Sequence, residues 1–260
     1  MHADNRHRRV TIGQVEFDNV TRAETLDQME RWIAEGGEHR ICTPNADHII
    51  LAQRLPEFKA AISTASLVIP DGMGVIYASR LLGTPLRQNV GGRLLLPAFA
   101  ERSVKAGYRL FLLGGHSSDV CHAAAAALTR RYPSLQIAGL YTPPHAARFS
   151  DEETARMIET VIDARPDVLF VALGTPKQEV WLHHTRHQLP VPVKIGVGAA
   201  FDILAGRVPP VPRLMTDIGL EWLVRLGNDP RRLWARYLIR GPQFVALVLR
   251  QRAFRNVTSC

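Results

Sequence analysis

DVLFVALG, residues 167–174, is a run of apolar residues that ends in glycine. Five further runs of the same character are HRICTPN (39–45), SLVIPDG (66–72), YRLFLLGG (108–115), LQIAGLY (135–141) and VKIGVGAAFD (193–202). Such runs are typical of strands that are buried on both faces of a sheet. Segments of helical length and pattern separate most of them. The sequence therefore predicts an α/β fold with a mostly parallel sheet covered by helices on both faces.

Two segments flank this α/β pattern. Residues 9–20 alternate apolar and polar side chains around a glycine, which predicts a short β-hairpin, and Thr21 begins a predicted helix. Near the C-terminus the sequence becomes rich in Arg and Trp. We therefore divide the chain into an α/β domain over residues 1–206 and a helical C-terminal appendage over residues 207–260.

The composition limits the class of protein. The 260 residues are 46% hydrophobic, enough for a substantial core, and the formal charge is +8. That charge fits an anionic partner: a nucleotide, a phospholipid or a nucleic acid. Cys42, Cys121 and Cys260 are too scattered for a disulfide framework, and no stretch reaches the roughly 18 apolar residues of a spanning helix. We expect a cytoplasmic protein that is not transmembrane.

Polar residues and glycines collect where the predicted strands end. In an open α/β sheet, ligands bind outside the carboxyl ends of the strands, so we expect these loops to converge on one crevice. The residues concerned are Asn45, Asp71-Gly72, Gly114-Gly115, Gly174 to Glu179, and Asp202.

Two of these loops have the composition of a nucleotide site. The backbone amides of Gly114-Gly115 can approach a diphosphate closely, although a plain tight turn explains the pair equally well. In the loop from Gly174 to Glu179, Lys177 supplies a cation, Gln178 an amide and Glu179 a carboxylate, a set able to bind uracil, ribose or phosphate. The alternative is a loop with a solvated Lys and a Glu in the first turn of a helix.

Asp71 is the candidate general base. A carboxylate at a strand end can take a proton from a sugar hydroxyl that attacks an anomeric carbon. Asn45 follows the Thr43-Pro44 turn at the end of another strand and can face it. The competing interpretation is that Asp71-Gly72 simply forms a turn.

Several common chemistries lack their motifs. The chain contains no Asp-x-Asp and no His or Cys cluster at metal-ligand spacing, so we predict neither a metal nor a cofactor. There is no G-x-S-x-G elbow for a hydrolase and no G-x-G-x-x-G after the first strand for a dehydrogenase.

The appendage interleaves Arg with aromatic side chains. A helix of this composition can lie in a lipid interface, with aromatics inserted and arginines on phosphates. The alternative is a helix packed on its own domain with Arg exposed to water. The aromatic residues are Trp222, Trp234, Tyr237, Phe244 and Phe254.

The motifs together resemble the WecG/TagA/CpsF family of glycosyltransferases. Over residues 10–245 they occur in the family's order: TPNADHI, IPDGMGVIYASRLLG, LFLLGG, YPSLQIAG, VALGTPKQEVWL, GVGAAFDILAG and GLEWLVRL…DPRRLWARYL. The resemblance implies a Rossmann-like fold and a metal-independent, inverting glycosyltransferase. Its donor would be a UDP-sugar (N-acetylmannosamine, its uronic acid or glucose), its acceptor a polyprenyl-diphosphate-linked saccharide, and its place the inner face of the cell membrane, as a peripheral protein.

The resemblance also assigns residues. The family's catalytic Asp falls on Asp71, its active-site Thr and Asn fall on Thr43 and Asn45, and its arginine-rich segment includes Arg240. The predicted donor-binding set is Gly114, Gly115, Gly174, Pro176, Lys177, Gln178, Glu179, Asp202, Arg225, Arg231, Arg232 and Arg236.

Two departures from the family pattern keep alternatives open. Asn89 and Leu94 stand where the family has a basic and an acidic residue, and residues 208–213 replace its R-A-P motif. A non-catalytic relative that assists a membrane polysaccharide enzyme is one alternative. A basic nucleic-acid-binding module is another, but the strand-end loops carry few basic residues, so we expect no nucleic acid. A homo-oligomer stays open.

Overall fold

The computed structural model describes residues 9–209, 211, 215 and 221–258, without the side chains of residues 221, 232 and 255–258. The chain divides into two compact units. The first, here called the hairpin unit, comprises Met1–Arg22, Pro44–Val90 and Val211–Cys260. The second, the sheet unit, comprises Ala23–Thr43 and Gly91–Pro210.

The elements follow one another in an α/β pattern, which confirms the predicted fold class, and each of the six apolar runs contains a strand. The strands are β1 (Val10–Ile12), β2 (Val15–Phe17), β3 (His39–Cys42), β4 (Leu67–Val68), β5 (Arg109–Gly114), β6 (Gln136–Tyr141), β7 (Val168–Ala172) and β8 (Val193–Gly196). The helices are α1 (Arg22–Glu35), α2 (Ala46–Ala52), α3 (Pro56–Ser63), α4 (Met73–Leu81), α5 (Gly92–Ala106), α6 (Ser118–Arg131), α7 (Asp151–Ala164), α8 (Lys177–His184), α9 (Ala200–Leu204), α10 (Glu221–Asn228), α11 (Pro230–Trp234) and α12 (Gly241–Thr258), with a π-helical segment (Ala235–Arg240) before α12.

The sheet unit contains the parallel strands β3, β8, β7, β5 and β6, which lie side by side in that order. All five residues of β7 are buried, because helices cover both faces of this strand. On one face Leu169 and Val171 pack in a cluster with Met157 of α7 and Trp181 of α8. On the other face the ring of Phe170 lies 6.2 Å from that of Phe99 in α5.

In the hairpin unit, β1 and β2 form the predicted antiparallel hairpin. The C-terminal helix α12 holds its turn: Gly13 N donates to Gln251 Oε1 at 2.8 Å, and Gln251 Nε2 donates to Thr11 O at 2.9 Å. Phe244 and Val248 of the same helix are buried. The appendage helix therefore packs on its own unit, and Phe244 is not one of the exposed aromatics expected at a lipid interface.

Other aromatics of the C-terminal segment are exposed. Trp222 has 37% of its surface exposed, Trp234 51% and Phe254 73%. In the described part of the chain, no helix is both long and apolar enough to cross a bilayer. The predicted boundary between residues 206 and 207 stays a prediction, and Pro210, Pro212 and Arg213 of the altered R-A-P region lie outside the described residues.

Candidate functional site

The predicted site residues are divided between the two units. Asn45, Asp71 and the arginines belong to the hairpin unit. Thr43, Gly114-Gly115, the loop from Gly174 to Glu179, and Asp202 belong to the sheet unit, where they follow or end parallel strands and so lie at the same edge of the sheet.

Asn45 caps helix α2. Its Oδ1 accepts hydrogen bonds from Asp47 N at 3.0 Å and from His48 N at 3.3 Å. In the opposite direction, Asn45 N donates a hydrogen bond to Nδ1 of the His48 ring at 2.9 Å. This is a capping box with His in the place that Glu or Gln usually takes. Because capping occupies the side-chain oxygen of Asn45, its amide nitrogen is the group available to donate to a ligand.

His48 is a neutral part of this arrangement. Burial, together with a smaller contribution from the positive charge of Arg236, lowers its pKa to about 3. Since Nδ1 accepts a hydrogen bond, the ring proton resides on Nε2. The ring therefore supports the Asn45 turn as an uncharged imidazole near pH 7.

The Asp71 loop is fixed by its backbone. Asp71 N donates to Pro44 O at 3.0 Å, which ties this loop to the residue preceding Asn45. Gly72 N donates to Asn89 Oδ1 at 2.9 Å. The structure thus brings the two predicted residues Asp71 and Asn45 onto neighbouring turns. It also gives Asn89, the departure from the family pattern, a role in holding the loop that carries the candidate base.

The arginines of the π-helical segment meet a carboxylate that sequence reasoning missed. Both guanidinium groups of Arg236 and Arg240 contact Asp47 in the first turn of α2. A single acidic residue in a first helical turn usually indicates only a favourable helix end. No signal in the sequence pairs it with residues almost 200 positions away. Of the other predicted arginines, Arg225 is partly buried and Arg231 exposed, and the side chain of Arg232 lies outside the described residues.

Thr43 is buried in the sheet unit, where its Oγ1 donates to Gly196 O at 3.2 Å. This bond links the end of β3 to the end of β8. Asp202 lies in α9, where its backbone oxygen accepts from Arg207 N and its Oδ1 lies 4.0 Å from Arg207 Nε.

The loop from Gly174 to Glu179 is more deeply packed than its polar composition suggests. Lys177 Nζ donates to Ala146 O at 2.6 Å and lies 5.4 Å from the ring centre of Phe149. Gln178 is buried, donates from Nε2 to Glu179 Oε1 at 2.6 Å and accepts from Gly198 N at 3.2 Å. These contacts make Gln178 a support for the loop after β8. A direct role of the loop in donor binding stays a prediction.

The Gly-Gly loop joins β5 to α6. Gly115 N donates to Ala172 O at 2.9 Å, and Thr142 Oγ1 donates to Gly114 O at 2.8 Å. The helix begins at Ser118, and the Ser117 hydroxyl caps it by accepting from Val120 N. The loop is therefore held tightly between β7 and β6, with the start of a four-turn helix next to it.

Glu179 is a buried carboxyl group at the same edge of the sheet. Burial raises its pKa from the ordinary 4.5 to about 7, against the opposing effect of its hydrogen bond from Gln178. Burial also raises the pKa of the Cys42 thiol to about 12, with a smaller contribution from Glu179. Between about pH 4.5 and 7, the folded chain thus holds a proton at Glu179 that the unfolded chain releases.

This difference predicts a pH-dependent stability. The contribution of Glu179 is fully present below pH 4.5 and is lost as the pH rises to about 7, at about 1.4 kcal/mol per pH unit at most. Glu179→Gln keeps an acceptor for Gln178 and removes the titration. We expect the variant to gain stability relative to the parent chain between pH 5 and 7.5, by about 2 kcal/mol, in urea unfolding.

The matched control is Glu159→Gln on the exposed surface of α7, whose difference from the parent chain should not change with pH. The opposite pH dependence that His48 contributes is common to all three proteins and cancels in the comparison. A constant difference between Glu179→Gln and the parent chain across this pH range would contradict the prediction.

Comparison with known proteins places this site in context. The model of the family described as "Glycosyl transferase WecG/TagA/CpsF family" matches residues 10–258. Three relatives are each named N-acetylglucosaminyldiphosphoundecaprenol N-acetyl-beta-D-mannosaminyltransferase. The one from Bacillus spizizenii W23 is 31% identical over 81% of this chain and 78% of its own length. Those from Bacillus subtilis 168 and Staphylococcus aureus MW2 are both 29% identical, covering 93% and 86% of this chain and 91% and 87% of their own.

Proposed function

Because the chain belongs to the WecG/TagA/CpsF family of glycosyltransferases, we propose that it transfers a sugar from UDP to a polyprenyl-diphosphate-linked saccharide in cell-envelope polysaccharide synthesis. The observation that carries this proposal is the similarity to mannosaminyltransferases along 93% of the chain. The names of these relatives favour N-acetylmannosamine as the donor sugar and a lipid diphosphate bearing N-acetylglucosamine as the acceptor. A uronic acid or glucose donor is the alternative, since the departures at Asn89 and Leu94 leave the donor sugar open.

The proposed reaction is a single displacement with inversion. Asp71 takes the proton of the attacking acceptor hydroxyl, whose oxygen forms a bond to the anomeric carbon. The bond from that carbon to the UDP oxygen breaks, and UDP leaves with the electron pair. The backbone bonds from Asp71 N to Pro44 O and from Gly72 N to Asn89 Oδ1 support this role, because a general base must be held in position. Asn45 and Thr43 orient the reacting sugars.

The sheet unit supplies the proposed donor site. The amides of Gly114-Gly115 and the start of α6 receive the diphosphate, since a helix N-terminus with exposed amides favours anions. Lys177 and the backbone around Gly174 and Pro176 contact the uridine, while Gln178 and Glu179 hold the adjacent loop in place. Following the family resemblance, the C-terminal arginines stabilise the negative charge that develops on the departing diphosphate.

The C-terminal segment provides the proposed membrane contact. It exposes large apolar side chains beside exposed arginines, a combination that binds the interface of an anionic bilayer. This supports a peripheral protein on the inner face of the cell membrane, where a lipid-linked acceptor resides. The apolar residues are Trp234, Leu238, Ile239, Val245, Leu249 and Phe254, and the arginines are Arg231, Arg250 and Arg252.

Calorimetric titration with UDP and UDP-sugars, with and without EDTA, tests the proposal. We expect UDP to bind equally well in both conditions and UDP-N-acetylmannosamine to support transfer to an N-acetylglucosaminyl diphospholipid. UDP binding without transfer to any lipid acceptor would favour a non-catalytic relative. Failure to bind UDP would contradict the proposed function, and binding abolished by EDTA would contradict its metal independence.

A further inference from the structure

Asp47 lies at the second position of α2, two residues after the candidate active-site residue Asn45. Its side chain is only 10% exposed. Its backbone N–H donates to Asn45 Oδ1, while its carboxylate points to the C-terminal segment. The residue therefore connects Asn45 with the arginines of the π-helical segment within the hairpin unit.

The carboxylate of Asp47 contacts two nitrogen atoms of Arg240, Nε and Nη2. Arg240 Nε donates to Asp47 Oδ1, and Arg240 Nη2 lies 3.4 Å from Oδ2. Arg236 Nε lies 3.9 Å from the same Oδ2. These contacts use two of the five N–H donors of Arg240, and two cations around one anion leave a net charge of +1. The cluster can therefore still accept a phosphate.

Apolar packing around this part of the chain is partial, with the ring of Tyr237 5.9 Å from that of Trp222. No residue from Ala235 to Arg240 is buried, although all of them belong to the described part. In α12, by contrast, Phe244 and Val248 are buried and Gln251 is bonded to the hairpin. Asp47 therefore contributes directly to the position of Arg236 and Arg240, whereas α12 has buried contacts of its own.

We propose that Asp47 is a positioning residue for sugar transfer: it holds the guanidinium groups of Arg236 and Arg240 beside the Asn45 turn, where they receive the diphosphate of the departing UDP. This inference rests on the proposed function. Asp47 itself touches neither substrate in this scheme. It acts by fixing two cations in advance, so that they need not reorganise as charge develops on the leaving group.

Asp47→Asn is the informative variant. It keeps the size of the side chain and the backbone bond to Asn45, and it removes the charge that holds the arginines. Because misplacement of a charge-stabilising group by about 1 Å can cost two orders of magnitude, we expect kcat to fall about 10- to 100-fold, with KM for the donor changed less than threefold. Glu57→Gln, an exposed acidic residue in the first turn of α3, is the matched control and should keep full activity.

A double-mutant cycle separates positioning from a general structural effect. If Asp47 acts only through Arg236 and Arg240, adding Asp47→Asn to the combined variant Arg236→Gln/Arg240→Gln causes no further loss of kcat. Hydrogen exchange should accelerate more than tenfold over residues 235–240 in Asp47→Asn and stay unchanged around Gln251. Multiplicative losses in the cycle, or unchanged kcat in Asp47→Asn, would overturn the proposal.

The two proposals fail in different ways. A parent chain that does not transfer sugar refutes the proposed function before any variant is compared. A parent chain that is active, together with an Asp47→Asn variant of equal kcat, refutes only the positioning role. Exchange that accelerates equally over residues 235–240 and around Gln251 also refutes it, because the whole segment would then have loosened.

Discussion

Asp71→Asn is expected to lower kcat for sugar transfer by about 10²- to 10⁴-fold, the range that general-base catalysis contributes. The amide cannot take the proton from the acceptor hydroxyl, so the displacement must proceed without that assistance. The loop keeps the two bonds that the backbone N–H groups of Asp71 and Gly72 donate, because the substitution changes neither of them. The measurement is single-turnover transfer to a lipid-linked acceptor at saturating donor.

Calorimetry provides the check that the Asp71 variant is intact. The UDP affinity of Asp71→Asn should equal that of the parent chain, because the base acts on the acceptor. Asp163→Asn, an exposed residue of α7, serves as the control for removing a carboxylate and should keep the parent kcat. A variant that binds UDP and keeps full turnover would show that Asp71 is a turn residue and that the base lies elsewhere.

Gly114→Ala is expected to lower the free energy of unfolding by about 2–5 kcal/mol and to abolish UDP binding. The residue has φ +107°, a conformation that costs a residue with a side chain about 1–2 kcal/mol. An added Cβ would also lie 2.6 Å from Ala172 O and 2.7 Å from Ala172 C. Both atoms belong to the backbone of β7, so relief requires the strands to move apart, at a further cost of about 1–3 kcal/mol.

Gly36→Ala is the matched control for the Gly114 prediction. Gly36 follows α1 with φ +76°, and an added Cβ there meets no atom within 4 Å. Gly36→Ala therefore has the conformational cost of a positive φ without the steric clash. Its loss of stability in urea unfolding should be about 1–2 kcal/mol, and its UDP binding should be unchanged. Equal losses in the two variants would mean that β5 and β7 separate easily and that close packing does not fix the Gly-Gly loop.

The strands and the strand-end loops could be predicted because their signal is local. A strand buried on both faces needs a short continuous apolar run, and DVLFVALG is such a run, with all five residues of β7 buried. The glycines that follow such runs are also a local signal, because loops directly after strands often need the positive φ that glycine adopts readily. The position of the Gly-Gly loop after β5 was thus predictable from the sequence alone.

What the sequence did not reveal depends on contacts between distant residues. Gln178 and Glu179 have the polarity of surface residues, and only the fold explains their burial, since Gln178 bonds to Gly198 in the loop after β8. The pairing of Asp47 with Arg240 spans 193 positions. Phe244 belongs to an Arg-rich helix whose pattern suits a membrane interface, yet it is buried against its own unit.

The pair of hydrogen bonds between Gln251 and the hairpin turn has a consequence for protein synthesis. Its two partners, Gly13 and Gln251, are 238 residues apart, so at roughly 5–20 residues per second a ribosome delivers the second roughly 10–50 s after the first. The nascent hairpin must wait that long for α12, while the parallel strands of the sheet unit are already complete. Translation therefore builds the sheet first and closes the arginine-bearing unit last.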